Sequence, residues 1–548
     1  MAEPAPNQTA LPLPTHIVVL GLSLVWMLPG LWGHDPWKPD EASAFGVVYS
    51  MLRGSGWLVP QLAGEVVLDS PPLFYWVCAL FAKVLGFALP LHDAARFACA
   101  AFAGATVAFG AFAARALYGP RSGFAAFILA LGCIGFIPHA HQLVPDLAML
   151  AGYACALYGL SIAPQRPQMG GLCLGTGFGI VFLSEGLAQA AVLVITVALL
   201  PLLFAEWRGR FLLKCAGIAL VVSLPWWILW PGLLYAHSPK LFHAWLWVEN
   251  LDHLRTFSSE VTLASVYRFI RALSWHTWPA WPLALWALWE SRKNFLANRG
   301  LQLAVVMFAA MFVVLVLTRD LQESHALPLL VPLVLLASQG VQTLRRGAAN
   351  ALLWFSIMFY FLFALTGWFY WMGMDAGIPE RLHRHLMRMQ PSYEPSYLVL
   401  RVLCAALVTG AWFWAIAHLK RTPERPVLAW TAGTAMLWAL IMILFGNYMD
   451  AGRSYRRLSQ QIGSAIPAKT SCVGSAGLGE SQRAMLHYFA GVVTQRAENP
   501  QARRDCPVQI LQSSRSLPRD LGPQWKLAFS GAREGDKNEL YQVFVRRR

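Results

Sequence analysis

Three carboxylates, Asp35, Asp40 and Glu41, stand just past the first apolar segment, in G-H-D-P-W-K-P-D-E. A fourth, Asp69, follows in L-D-S-P-P-L-F-Y-W, beside Ser70. A carboxylate next to a membrane-length apolar segment is costly unless it faces water or a partner, so each marks a candidate site. Adjacent acids suit proton abstraction and the binding of hydroxyls or amines. Farther on, Asp146, Glu185 and Glu249 each sit at the edge of an apolar segment, as do His139, Arg268, Arg271, Arg319 and His325. Each also has a plain reading. Asp146 follows Pro145 at a helix start, where a capping acid is favoured. Glu185 suits a water-facing turn, and Arg319 and His325 suit interfacial anchoring, although together they could also dock a phosphate. Glu249 and His253 are spaced i, i+4 on one helix face, as two ligands of a divalent metal would be; two ligands are too few for a site.

The elements that must position these residues are membrane helices. The chain of 548 residues is 57% hydrophobic and only 13% charged, against about 25% charged in soluble proteins. Its 24 Trp suit many membrane interfaces. The net charge of +15 does not signal nucleic acid, because the Lys and Arg lie largely in short clusters between apolar segments. Part of the excess ends the chain, at Arg546, Arg547 and Arg548, where it could meet lipid headgroups. A span needs about 20 apolar residues. Candidates are 16–33, 95–117, 121–138, 143–163, 170–184, 186–205, 211–231, 272–290, 300–318, 325–343, 348–371, 397–418 and 427–447, thirteen in all. The N-terminus lacks the basic region of a cleaved signal peptide, so 16–33 reads as a retained span.

Basic clusters at Arg115/Arg121, Arg166, Arg208/Arg210/Lys214, Arg292/Lys293/Arg299, Arg345/Arg346 and Lys420/Arg421/Arg425 all fall on one side with these spans. That side is expected to be cytoplasmic. The acid-bearing loops then share the opposite side. Charge alone leaves the apolar stretch 71–90 open, as a crossing or as an interfacial helix; Pro71-Pro72 and Trp76 suit the interface.

The last 100 or so residues change character. Residues 451–466 and 479–492 read as helices, and C-P-V-Q-I-L-Q, W-K-L-A-F-S and L-Y-Q-V-F-V as short strands. The expected architecture is an all-α polytopic membrane domain over 1–447, with 34–94 as its first external loop. A small extracytoplasmic α/β domain over 448–548 follows. Of nine Cys, Cys472 and Cys506 lie in that polar region, where an oxidising compartment would pair them.

The first loop resembles that of the GT-C class of polyprenyl-phosphate-sugar glycosyltransferases, in the branch of lipid A aminoarabinose transferase and protein O-mannosyltransferase. The family pattern P-D-E, then G-D-W-x-V-P, Gly and E-K-P-P-L-x-Y-W, is similar to Pro39-Asp40-Glu41, Gly56-Trp57-Leu58-Val59-Pro60, Gly64 and Asp69-Ser70-Pro71-Pro72-Leu73-Phe74-Tyr75-Trp76. A second family acid looks like Asp146, its L-S-K-G-L looks like Leu183-Ser184-Glu185-Gly186-Leu187, and a later segment looks like Arg319 to Pro332. Three departures stand out. The family's E-K is Asp69-Ser70, its K-G is Glu185-Gly186, and the Arg and Glu that often follow P-D-E are Ser43 and Gly46.

The resemblance implies thirteen spans, an external first loop with interfacial helices, and a sugar donor on undecaprenyl phosphate. The sugar, 4-amino-4-deoxy-L-arabinose or a relative, would pass with inversion to an envelope acceptor such as lipid A. For a hydroxyl acceptor the clustered acids make Asp40 the candidate base, with Glu41 and Asp146 binding the sugar's hydroxyls or amine. With the family Lys absent, Arg319, Arg268 or Arg271 would meet the carrier phosphate. A non-catalytic flippase or a lipid-binding pseudo-enzyme is the alternative. Against a transporter, the sequence has no internal repeat and its acids gather at one face.

Overall fold

The computed structural model describes residues 13–252, 263–318, 323–391, 393–395, 398–499, 506–516, 520–533, 536 and 538–547. Arg319, His253 and the side chain of His325 lie outside the described residues.

The chain opens with α1 (Thr15–Met27), and a loop then leads to α2 (Asp40–Leu52). A two-stranded hairpin follows, β1 (Gln61–Leu62) and β2 (Glu65–Val66), and then α3 (Leu73–Leu85). The bundle continues through α4 (Leu91–Tyr118), α5 (Pro120–Gly132), α6 (Phe136–Ala140), α7 (Asp146–Ile162), α8 (Pro167–Glu185), α9 (Leu187–Leu203) and α10 (Arg210–His237). After α11 (Pro239–His243) the backbone widens to π-helical turns over Ala244–Asp252. Then come α12 (Leu263–His276), α13 (Ala280–Glu290), α14 (Arg299–Thr318), a 3-10 segment at Glu323–Leu329, α15 (Leu330–Thr343), α16 (Arg346–Asp375), α17 (Glu380–Met389), α18 (Val399–Ala417) and α19 (Arg425–Arg453). Helices α20 (Arg456–Ala465) and α21 (Glu480–Ala490) belong to the C-terminal unit.

Each of the thirteen apolar segments read from the sequence is helical over most of its length, and seven helical stretches among the described residues are long and apolar enough to cross a membrane. Two expected spans are divided: 121–138 between α5 and α6, and 272–290 between α12 and α13. Pro279 has no N–H to donate, and its ring would clash with the turn before it, so the helix restarts after it. Helix α3 has 13 residues, about 20 Å at 1.5 Å per residue. That is short of the hydrocarbon core of a bilayer.

Small residues let the helices approach closely, as expected where lipid removes the hydrophobic drive between helices. Gly152 on α7 and Gly177 on α8 face each other, and a Cβ on Gly152 would lie 2.8 Å from the Gly177 carbonyl oxygen.

The C-terminal unit is a five-stranded sheet. Its strands are β3 (Val473–Ala476), β4 (Thr494–Arg496), β5 (Val508–Ser514), β6 (Trp525–Gly531) and β7 (Glu539–Arg546), in the order β4-β3-β5-β7-β6. β3 pairs parallel with β4 and β5, whereas β7 pairs antiparallel with β5 and β6. The strands read from the sequence are β5, β6 and β7. β3 and β4, of four and three residues, are too short to show a period. The Cys472 and Cys506 sulfurs are bonded, joining the entries to the parallel neighbours β3 and β5.

This unit sits on the first loop. α21 packs against α2, and a Cβ on Gly46 would lie 2.4 Å from the Ala484 Cβ. Gly46 therefore supplies the space that the family's acid would fill. Glu65 of the hairpin pairs with Arg483 at 2.8 Å and Arg496 at 3.2 Å. Gly46→Leu is expected to lift α21 off α2 and destabilise the protein by about 1–3 kcal/mol, the usual range for overpacking. Faster proteolytic release of the C-terminal unit would show it; an unchanged digestion rate would count against this contact.

Candidate active site

Residues 33–41 form a loop whose polar groups are nearly all held from below. Arg96, fully buried in α4, is the hub. Its Nε donates to Glu41 Oε1 at 2.7 Å, and Nη1 donates to Asp93 Oδ1 at 2.6 Å and to the His34 carbonyl at 2.9 Å. Nη2 donates to the Asp35 carbonyl at 3.0 Å. The free edge of Asp93 accepts the Gly33 N–H at 3.1 Å, and Glu41 Oε2 accepts the Trp37 N–H at 2.9 Å. A buried guanidinium whose N–H groups meet carboxylates and carbonyls in a fixed fork is well suited to fixing a backbone path.

The far side of the loop is held by α19 and the C-terminal unit. Asp450 Oδ1 accepts the Asp35 N–H and the Trp37 indole N–H, both at 2.9 Å. Asp35 accepts Ser454 Oγ at 2.6 Å and Arg456 Nε at 2.9 Å, with Arg456 Nη2 also on its other oxygen. Burial pushes the Asp35 carboxyl upward, but these donors outweigh it and hold the group below its ordinary value. Lys38 pairs with Asp536 at 3.2 Å and Glu539 at 3.6 Å.

This geometry separates the adjacent acids Asp40 and Glu41. Glu41, read from the sequence as a second catalytic acid, is 2% exposed and committed to Arg96 and the Trp37 N–H. Asp40 opens α2 with its side chain exposed at the helix N-terminus. It lies within electrostatic reach of His139, whose imidazole burial holds below its ordinary value; the Gly135 carbonyl opposes that, His276 adds to it, and Asp40 pulls it back up. His139 Nδ1 lies 2.7 Å from the Gly135 oxygen, and its ring centre is 5.9 Å from that of His276. Asp146, half-buried, opens α7 at the end of the loop that follows His139.

A second group forms around Tyr75. Asp69, Ser70 and Glu185 all act on its hydroxyl, and Asp69 also lies within electrostatic reach of Glu480 of α21. Glu249 joins this region through its neighbour: Asn250 Oδ1 accepts the Leu187 N–H at 2.9 Å, at the Gly186 turn beside Glu185. Arg268 and Arg271 are exposed on α12, which packs against the 3-10 segment carrying His325 and ends at His276. Among the described residues no group of three or more His, Cys, Asp or Glu could hold a metal ion.

The residues that sequence reasoning passed over are Arg96, Asp93, Asp450, Arg456 and His276; Tyr75 stood there only as part of the family motif. Arg96 lies inside the apolar segment 95–117, at its second residue, where it reads as a lone charge at a span's edge. Its one local signal is Asp93 three residues earlier, on the same helix face. Asp450 and Arg456 reach the loop only through the tertiary fold.

His34 ties pH to this arrangement. Its ring stacks on Trp37 at 4.1 Å, and burial, aided by Arg96, lowers its pKa to about 4. A histidine held neutral in the fold but free to protonate when unfolded, near 6.5, makes the fold fully stable only above that value. Stability is lost as pH falls from the unfolded toward the folded value. Between about pH 7 and about pH 5 the loss is up to about 2 kcal/mol. Thermal midpoints across that range are expected to fall, and the fall should shrink in His34→Gln; a pH-independent midpoint would contradict the assignment.

The dolichyl-phosphate-mannose-protein mannosyltransferase family matches over residues 69–230. An undecaprenyl phosphate-alpha-4-amino-4-deoxy-L-arabinose arabinosyl transferase of Yersinia enterocolitica is 26% identical over 246 residues, 43% of each chain. The enzyme of that name from Edwardsiella ictaluri is 27% identical over 242 residues, 42% of each chain. The match thus spans less than half of these relatives. The crystal structure of ArnT from Cupriavidus metallidurans bound to undecaprenyl phosphate superposes with a TM-score of 0.72 at 15% identity. It covers 96% of this chain and 97% of that one, so the fold is shared. In sequence motifs and in fold, the chain resembles the GT-C polyprenyl-phosphate-sugar glycosyltransferases of the aminoarabinose-transferase branch.

Proposed function

We propose that the chain transfers a sugar, 4-amino-4-deoxy-L-arabinose or a relative, from undecaprenyl phosphate to an envelope acceptor such as lipid A. The reaction takes place on the periplasmic face of the bacterial inner membrane. In this reading the N-terminus is cytoplasmic, α3 lies at the interface, and residues 448–548 form a periplasmic domain. The observation that carries it is Asp40, presented at the head of α2 by a loop that Arg96, Asp93, Asp450 and Arg456 fix. It stands in a fold shared with a structure bound to undecaprenyl phosphate.

The acceptor oxygen attacks the anomeric carbon from the face opposite the carrier phosphate. The bond between carbon and phosphate oxygen breaks, the lipid phosphate leaves with that electron pair, and the configuration inverts. With a hydroxyl acceptor, Asp40 takes the proton as the new bond forms. With an anionic phosphate acceptor there is no proton to take, and Asp40 orients the sugar instead. Asp146, Asp69, Ser70, Glu185 and Glu249 supply contacts for sugar hydroxyls or an amine, and His139 supports Asp40. Arg268 and Arg271, exposed on α12, are the proposed contacts for the carrier phosphate, with Arg319 and His325 as further candidates from the sequence.

The Arg268→Gln/Arg271→Gln variant is expected to raise the donor KM about 10- to 100-fold, the worth of one or two charge-assisted contacts, with kcat little changed. An unaltered KM would move the phosphate elsewhere. In a deletion strain, mass spectrometry of lipid A and envelope glycans is expected to show one sugar missing. Unchanged profiles, under conditions where the wild type expresses the protein, would argue against the assignment.

A further inference from the structure

Helix α17 has a cationic face that takes no part in the proposed sugar transfer. Arg381, Arg384, His385 and Arg388 recur at i, i+3, i+4 and i+7, and all four are exposed. The opposite face is fixed to the bundle. Leu386 is buried, its carbonyl accepts Tyr448 Oη at 3.0 Å, and His383 Nδ1 lies 2.9 Å from the Gly373 oxygen. Of the three arginines, Arg384 has an acid nearby, Glu380 at 3.6 Å, and that pair is exposed. Such a pair holds little of the charge back.

The place of this helix says what meets it. It connects α16 and α18, both long and apolar enough to cross a membrane. Exposed Ile378, Met389, Leu398 and Val399 flank it and continue onto those helices. A short basic helix between two spans, with apolar residues at its ends, lies at headgroup level. It also lies at the loop end of the bundle. Tyr448, which holds α17, is two residues from Asp450, which holds the first loop. The 30-residue helix α16 separates it from the Arg345/Arg346 cluster at the other end. Topology favours basic residues at that other end, so three arginines within eight residues here need another reason.

We infer that α17 is a docking ridge for the phosphate headgroups of anionic lipids in the leaflet at the loop end of the bundle. Tyr393 and Glu394, just beyond the helix, line a 450 Å³ cavity shared with His34 and Asp35. A headgroup seated on α17 therefore lies beside the first loop.

The test uses the full chain in nanodiscs of phosphatidylcholine with or without phosphatidylglycerol. Hydrogen exchange reports protection of α17, and native mass spectrometry reports retained lipid. Phosphatidylglycerol is expected to slow exchange across α17 in the wild type. Arg381→Gln/Arg384→Gln/Arg388→Gln should abolish that slowing and lower phosphatidylglycerol retention by about fivefold for each arginine, with phosphatidylcholine unaffected. Added salt should mimic the variant. Arg292→Gln/Lys293→Gln, at the other end, should keep the α17 protection, and Arg388→Glu alone should reduce it. Equal protection of α17 in both lipids, or a triple variant that behaves as wild type, would overturn the inference. Neither readout depends on sugar transfer.

Discussion

Asp40→Asn is expected to lower sugar transfer to a hydroxyl acceptor by about 10²- to 10⁴-fold, the usual worth of a positioned general base. The amide keeps the size of the side chain and cannot take a proton. Asp40 is exposed, whereas its neighbours in the loop carry the load of holding the fold. The thermal midpoint of Asp40→Asn should therefore stay close to wild type, as surface substitutions do. The residue beside it should behave in the opposite way. Glu41→Gln removes a buried partner of Arg96 and should lower stability first, with activity following. Two adjacent acids then separate cleanly, one by rate and the other by stability. Full transfer by Asp40→Asn in membranes would exclude Asp40 as the base.

Arg96→Met is expected to be the most destabilising single change. It leaves Glu41 and Asp93 buried without their cation, and the His34 and Asp35 carbonyls without their donor. Removing one partner from a buried charged network costs about 3–5 kcal/mol. Arg96→Lys keeps the charge but not the planar fork, so it should fall between wild type and Met. Arg96→Met/Glu41→Gln should recover part of the loss, because one stranded charge is gone. Thermal unfolding of the purified variants measures all three. A midpoint unchanged in Arg96→Met would show that the loop does not depend on this hub.

The sequence made the apolar segments and the acid-rich loops legible, because both are local patterns. Membrane helices satisfy their own backbone, so a run of apolar residues suffices to read one. The split at Pro279 shows the limit: composition reads 272–290 as one span, and the structure restarts the helix at Ala280. The same holds within the candidate site. Asp40 and Glu41 are indistinguishable as neighbours in P-D-E. One faces outward and the other inward because α2 turns about 100° per residue and α4 places Arg96 on its inner side. The contributions of Asp450, Arg456 and Arg483 arise more than 400 residues from the loop they touch, and no local pattern carries them. Gly46 was visible as a departure from the family pattern, but its reason, the close approach of Ala484, is a packing fact.

In the proposed reaction this chain breaks the bond between a sugar and a polyprenyl phosphate. The most direct measurement places the purified protein in liposomes with sugar-labelled undecaprenyl phosphate and an acceptor lipid fraction, and follows the label together with the lipid phosphate. The expected result is label on the acceptor with inverted anomeric configuration and one free undecaprenyl phosphate for each sugar moved. Recovery of the donor intact, whether in place or carried to the other leaflet, would contradict it.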